Sequence, residues 1–222
     1  MANKITSANI GSFSFLEKHS GFIRIWHWIT FIVLTSSLIC VLLASTILKP
    51  RENIALVQNQ LKQKGITVTE DQAFAVAHEY GDKMWDLHKY LGYALSFLIL
   101  SRIVIEFGQS QEEKLRMKIK NALFIYKRKD QYHKNAMHYL LVKYSYLLFY
   151  LLLLCMAATG LLLAFGYDIG ITKETQHQIK EIHGFGQYLI YTFIFFHLSG
   201  VIIAETGISK GIVSGMINGR KE

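Results

Sequence analysis

The chain has 222 residues, 51% of them hydrophobic, with 24 Lys and Arg against 16 Asp and Glu, for a formal charge of +8. The apolar fraction excludes a disordered chain, having only Cys40 and Cys155 excludes a disulfide-stapled scaffold, and the length suits one domain or at most two small ones. A basic excess of this size points either to nucleic acid or to an anionic membrane surface, and the placement of the charges decides between them.

After an N-terminal arm with Lys4, Lys18 and Arg24, the stretch Ile25–Leu48 carries no charge. It begins too late, is too long and lacks a small-residue cleavage site for a signal peptide, so it reads as a retained helix. Segment 49–86 reads as ordered. Ile54, Leu56, Val57 and Leu61 mark a short amphipathic helix resting at the interface, and Thr69-Glu70-Asp71-Gln72 forms a capping box that opens a second helix through Ala73, Ala77 and Tyr80. Leu87–Phe107 is apolar, with Lys89, Arg102 and Glu106 near its ends. A basic connection follows, with Lys114, Arg116, Lys118, Lys120, Lys127, Arg128, Lys129, Lys134 and Lys143. Tyr144–Tyr167 and His183–Ala204 are again free of Asp, Glu, Lys and Arg.

About 20 apolar residues at ~1.5 Å each cross a ~30 Å hydrocarbon core, and a water-soluble bundle would need a polar stripe on each helix. Three of the four stretches have none. The chain therefore reads as an all-α, integral membrane four-helix bundle, a single domain over 1–222. Its spans fall at approximately 24–48, 87–107, 140–166 and 183–205, with 49–86 external and 108–139 a basic cytoplasmic loop. The basic residues of that loop, of the arm and of the tail (Lys210, Arg220, Lys221) place both termini in the cytoplasm. On the other side Lys49, Arg51, Lys62, Lys64, Lys83, Lys89, Lys173 and Lys180 are offset by Glu52, Glu70, Asp71, Glu79, Asp82 and Asp86. Trp26, Trp28 and Trp85 lie at span ends, as in an aromatic belt. Lipid head groups account for the basic loop, and no helix-turn-helix, RNP or zinc-finger spacing suggests nucleic acid.

Four of the nine histidines lie near or within the spans. With the N-terminus inside, His27 is on the cytoplasmic side and His88 and His183 on the external side. His197, 14 residues beyond His183, shares its face to within about 40° and lies about 21 Å further along, back on the cytoplasmic side. The four thus sort by depth into His27 with His197 and His88 with His183, each pair from two different helices. Such a pair can clamp a planar macrocycle from both faces, and filling both axial positions of haem iron favours electron transfer over oxygen binding. Each histidine taken singly reads first as a packed or hydrogen-bonding helix residue, and it is the four together, sorted by depth, that point to haem. His19 precedes the first span and competes with His27, while His78, His133, His138 and His177 read as loop or interface residues. His78-Glu79 starts a zincin-like string, but position 82 is Asp. Gly-x-Ser-x-Gly, P-loop and dinucleotide fingerprints are absent, as is Cys-x-x-Cys-His, so a haem here is b-type rather than covalently attached.

Arg24-Ile25-Trp26-His27-Trp28, His88-Lys89-Tyr90-Leu91-Gly92, Leu100-Ser101-Arg102-Ile103, Thr159-Gly160, and His183 with His197 together resemble the prokaryotic cytochrome b561 and nickel-iron hydrogenase-type cytochrome b family over roughly residues 18–206. The resemblance implies a four-helix membrane bundle holding two b haems, with His27, His88, His183 and His197 as iron ligands, passing electrons between a quinone or quinol pool and a redox partner in the respiratory chain of a bacterial inner membrane. Arg24 and Arg102 are candidate haem-propionate partners by bidentate pairing, with snorkelling to the interface as the alternative. Gly92 and Gly160 either let a porphyrin approach the backbone or serve helix packing. The partner is expected to be lipid, quinone, and a redox protein on the external side or a second copy of the chain. The protein acts alone or as the b subunit of a hydrogenase- or thiosulfate-reductase-like complex. A haem-free transporter or anchor with a histidine proton relay is the alternative from another class.

Overall fold

The structure, a computed structural model, describes residues 20–111, 114–129, 132–207 and 211–219. Lys4, Lys18, His19, Lys210, Arg220 and Lys221 lie outside the described residues. Among the described residues there are seven helices and no strand: α1 (Gly21–Ser45), α2 (Pro50–Lys62), α3 (Glu70–Gly108), α4 (Leu115–Lys127), α5 (His133–Phe165), α6 (Lys173–Thr206) and α7 (Ile212–Asn218). Four of them, α1, α3, α5 and α6, are long and apolar enough to cross a membrane.

Local chemistry starts these helices. Ser20 Oγ accepts from Ile23 N at the head of α1, and Thr172 Oγ1 does the same for Thr175 N at α6. Pro50 opens α2, where its missing N–H costs nothing. At α3 the full capping box forms: Thr69 Oγ1 accepts from Gln72 N at 3.2 Å, and the Gln72 side chain accepts from Thr69 N at 2.9 Å. No break then separates the capped segment from the apolar span. α3 runs for 39 residues, about 58 Å at ~1.5 Å per residue, well beyond a ~30 Å core. Its first half folds with α2 into a helical hairpin that projects from one end of the bundle. At the other end α4 packs on the start of α5 through Ala122, Tyr139 and Leu140, and α7 lies near the end of α6 and the start of α1.

Laterally α1 packs on α3, α3 on α5, and α5 on α6. The α5–α6 contact is tight because Gly186 has no side chain: a Cβ there would run into Met156 Sδ. Among the described residues α6 approaches α1 and α3 only sparsely, so a cleft runs between α6 and the α1–α3 pair. One apolar layer closes it halfway. Ile99, Leu153 and Ile190 are 6%, 2% and 1% exposed, and Leu34, Leu38, Phe149 and Ile194 pack around them. The outer faces are the reverse of a water-exposed surface. Phe107 and Ile203 are 78% and 71% exposed, which requires a lipid surrounding rather than water.

Candidate functional site

Each half of the cleft, above and below the Ile190 layer, holds one histidine pair. At the hairpin end His88 on α3 faces His183 on α6, with ring centroids 6.3 Å apart. At the end bearing α4 and α7, His27 on α1 faces His197 on α6, with centroids 6.4 Å apart. Both pairs therefore bridge helices that hardly pack against each other. Ile190 is seven residues from each α6 histidine, so the two levels are equidistant from the apolar layer.

The spacing matches a metal held between two imidazoles. A metal–nitrogen bond of about 2 Å plus about 1.15 Å from ring atom to centroid, taken on both sides, gives a separation of about 6.3 Å. Among the described residues no three His, Cys, Asp or Glu side chains converge as a protein-only metal centre needs. Two opposed ligands suit an ion whose remaining positions are filled by a macrocycle, which is the ligation of a haem iron. The residues present fit that group.

Hydrogen bonds orient the hairpin-side pair. His88 Nδ1 lies 3.1 Å from Ser37 Oγ and 3.3 Å from Ser37 O. A carbonyl only accepts, so Nδ1 carries the proton and Nε2 keeps the lone pair needed for a metal. His183 Nδ1 lies 2.8 Å from Thr159 Oγ1. That hydroxyl already donates its hydrogen to Cys155 O at 2.8 Å, with Met156 O at 3.2 Å, so toward His183 it accepts, with the same consequence for the tautomer. Gly160 next to it clears space for the ring, since a Cβ there would stand 3.3 Å from His183 Cε1. Gly160 thus makes room for a side chain of the neighbouring helix α6. Gly92, one turn beyond His88, has nothing within 4 Å of where a Cβ would stand and so leaves its side of the cleft open.

The loop-side pair is set differently. His27 Nδ1 is buried and has no hydrogen-bond partner among the described residues, as does Thr30 Oγ1 one turn later. His197 instead stacks on Phe193, 5.8 Å between centroids and 9° between planes, and Phe193 stacks in turn on Phe149.

Arg24 and Arg102 both lie at the loop-side level. Arg102 is 14 residues beyond His88, the same spacing that puts His183 and His197 on one face. It is 12% exposed, pairs with Glu106 at 2.9 Å and donates from Nε to Tyr150 OH at 3.3 Å. Arg24 donates to Ile217 O at 3.0 Å, satisfying a carbonyl at the end of α7, and Trp28 Nε1 donates to Met216 O beside it. Each guanidinium keeps one buried nitrogen without a partner among the described residues, Nε of Arg24 and one terminal nitrogen of Arg102. Trp26 also reaches inward, donating to Leu98 O at 2.8 Å. Two further histidines are engaged elsewhere: His78 pairs with Asp82 at 2.9 Å, and His133 bonds and stacks on Tyr126.

Against the sequences of known families, the model of the prokaryotic cytochrome b561 family matches residues 18–219. The chain belongs to the prokaryotic cytochrome b561 family. Membership makes it a membrane b-type cytochrome of electron transfer, a haem b protein with four membrane-crossing helices. No curated protein and no solved structure matched the chain.

Ser37 and Thr159 are the site residues that sequence reasoning passed over. A lone hydroxyl in an apolar helix usually bonds back to a carbonyl of its own helix, so composition gives it no mark. Thr159 stood out only as part of the family-like Thr-Gly pair, with no role attached.

Proposed function

We propose that this chain holds two b haems, one between His27 and His197 and one between His88 and His183. It would carry electrons across a bacterial cytoplasmic membrane between a quinone pool and a redox partner. Bound haem supplies a one-electron ferric–ferrous couple. The chain supplies four imidazoles, the unpartnered buried nitrogens of Arg24 and Arg102 toward propionates of the loop-side haem, and an apolar setting that excludes water. The observation that carries the reading is the repeated 6.3–6.4 Å facing of histidine pairs across a cleft where, apart from the Ile190 layer, the helices meet only sparsely. With Lys and Arg concentrated in 108–143, we place that loop and both termini in the cytoplasm and the α2–α3 hairpin outside.

The hairpin favours a second, compatible reading, as one subunit of a larger complex. α2 has no buried residue, and the hairpin stands beyond what a span needs, which suits docking of an external redox protein.

A reduced-minus-oxidised spectrum of the purified protein, with haem and protein quantified in the same sample, tests the reading. The expected result is a b-type signal and two haems per chain. His183→Ala should reduce this to one. A colourless protein from haem-replete cells would sink the proposal in favour of a histidine proton relay, and two haems remaining in His183→Ala would break the pairing.

A further inference from the structure

The two histidine pairs are alike in spacing and unlike in what holds the far nitrogen of each ring. Resting on the di-haem reading, we propose that Ser37 and Thr159 are positioning residues that set the hairpin-side haem at a lower reduction potential than the loop-side haem.

The physical chain is short. An acceptor on Nδ1–H draws that proton outward and leaves more electron density on Nε2, making the ligand more basic. A more basic axial ligand stabilises ferric over ferrous iron, so the potential falls. On the hairpin side both rings have such an acceptor: Ser37 O and Oγ for His88, and Thr159 Oγ1 for His183. The Thr159 oxygen is the stronger acceptor for donating its own hydrogen to Cys155 O. On the loop side His27 Nδ1 is buried with no acceptor among the described residues, and His197 has an aromatic face against it. Arg24, bonded only to the neutral Ile217 carbonyl among the described residues, lies at that level too, and its positive charge there favours the reduced state. Both differences act in one direction. The Nδ1 protons stay in place in either oxidation state, and no covalent bond forms or breaks. With both haems bound, electron transfer from the hairpin side to the loop side would then be downhill.

Redox titration of the haem-loaded full-length protein in detergent, followed by the b-type absorbance, tests this, with haem content measured on every sample. The midpoint that disappears in His183→Ala identifies the hairpin-side centre, and it should be the lower of the two. Thr159→Val keeps the shape and removes the acceptor. It should raise that midpoint by about 59 mV, a tenfold change in a one-electron equilibrium, leave the upper one in place and keep two haems. Thr159→Ser should restore the original value. Ser37→Ala should raise the same midpoint by less, because the Ser37 carbonyl remains. If Thr159→Val loses haem, Ser37→Ala decides, and an unmoved lower midpoint in it overturns the inference. Two haems with the lower midpoint unmoved in Thr159→Val, with the shift on the upper midpoint, or with His183→Ala removing the upper one, overturn the inference and leave the di-haem reading standing. Fewer than two haems in the unaltered protein overturn both.

Discussion

His183 keeps its orientation because two adjacent residues of α5 act on different parts of its ring. Thr159 accepts from Nδ1, and Gly160 gives up the volume that Cε1 occupies. A methyl at 160 would sit 3.3 Å from Cε1, a contact the ring can relieve by a small shift, whereas a branched side chain leaves it no room. Gly160→Val should therefore lower haem content from two to one per chain while Gly160→Ala keeps most of it, as a haem assay on purified protein would show. Arg102 is the second residue with a divided role. It neutralises Glu106 and braces Tyr150, so Arg102→Gln leaves the half-buried Glu106 carboxylate with the Leu115 N–H but without its opposite charge. That should destabilise the protein by up to about 3 kcal/mol, read as a drop in the thermal midpoint, and Arg102→Lys should recover only part because the planar fork is lost. The histidines were legible from the sequence because spacing and depth are helix arithmetic. Ser37 and Thr159 were not, since a hydroxyl's partner depends on which neighbouring helix turns toward it.

At the level of elements, α3 shows how capping chemistry far from the membrane shapes what enters it. The box at Thr69 and Gln72 was readable as a helix start, and the apolar run from Leu87 as a span. Their fusion into one rod follows from the lack of any Pro or helix-ending glycine between them that the backbone must obey. Gly81 lies within the helix and allows the α1–α2 link to approach, with Leu48 O 3.5 Å from where a Cβ would stand. Thr69→Ala should cost the hairpin about 1 kcal/mol, seen as faster amide exchange over Gln72 and Ala73, with the haem spectrum unchanged. At the other end, Glu106 does for α4 what that helix's own sequence does not. Lys114 offers no side-chain cap, and Glu106 Oε1 accepts from Leu115 N at 2.6 Å instead. That tie between the end of one apolar helix and the start of a basic one has no local sequence sign.

For the whole molecule, the order of the helices in the bundle matters more than their number. α6 lies against α5 and stands off from α1 and α3, so its two histidines face open cleft rather than packed side chains. The Ile99–Leu153–Ile190 layer keeps the two levels apart. Our placement of the hairpin outside is tested with an impermeant thiol reagent on intact cells, in a Cys40→Ser/Cys155→Ser background. Lys64→Cys should react and Lys127→Cys should react only after permeabilisation. The opposite result would invert the proposed orientation.

What the sequence determined by itself is one-dimensional: which segments are apolar enough for lipid, where caps and charges punctuate them, and at what depth each histidine falls. These follow from residue transfer energies and a fixed rise per residue, which need no neighbours. Which helices touch and which stay apart, and hence that the imidazoles face each other at 6.3 and 6.4 Å with unequal hydrogen bonding behind them, only the tertiary structure decided. In lipid, helix association rests on shape rather than on hydrophobic pattern, because both faces of an apolar helix look alike to the sequence.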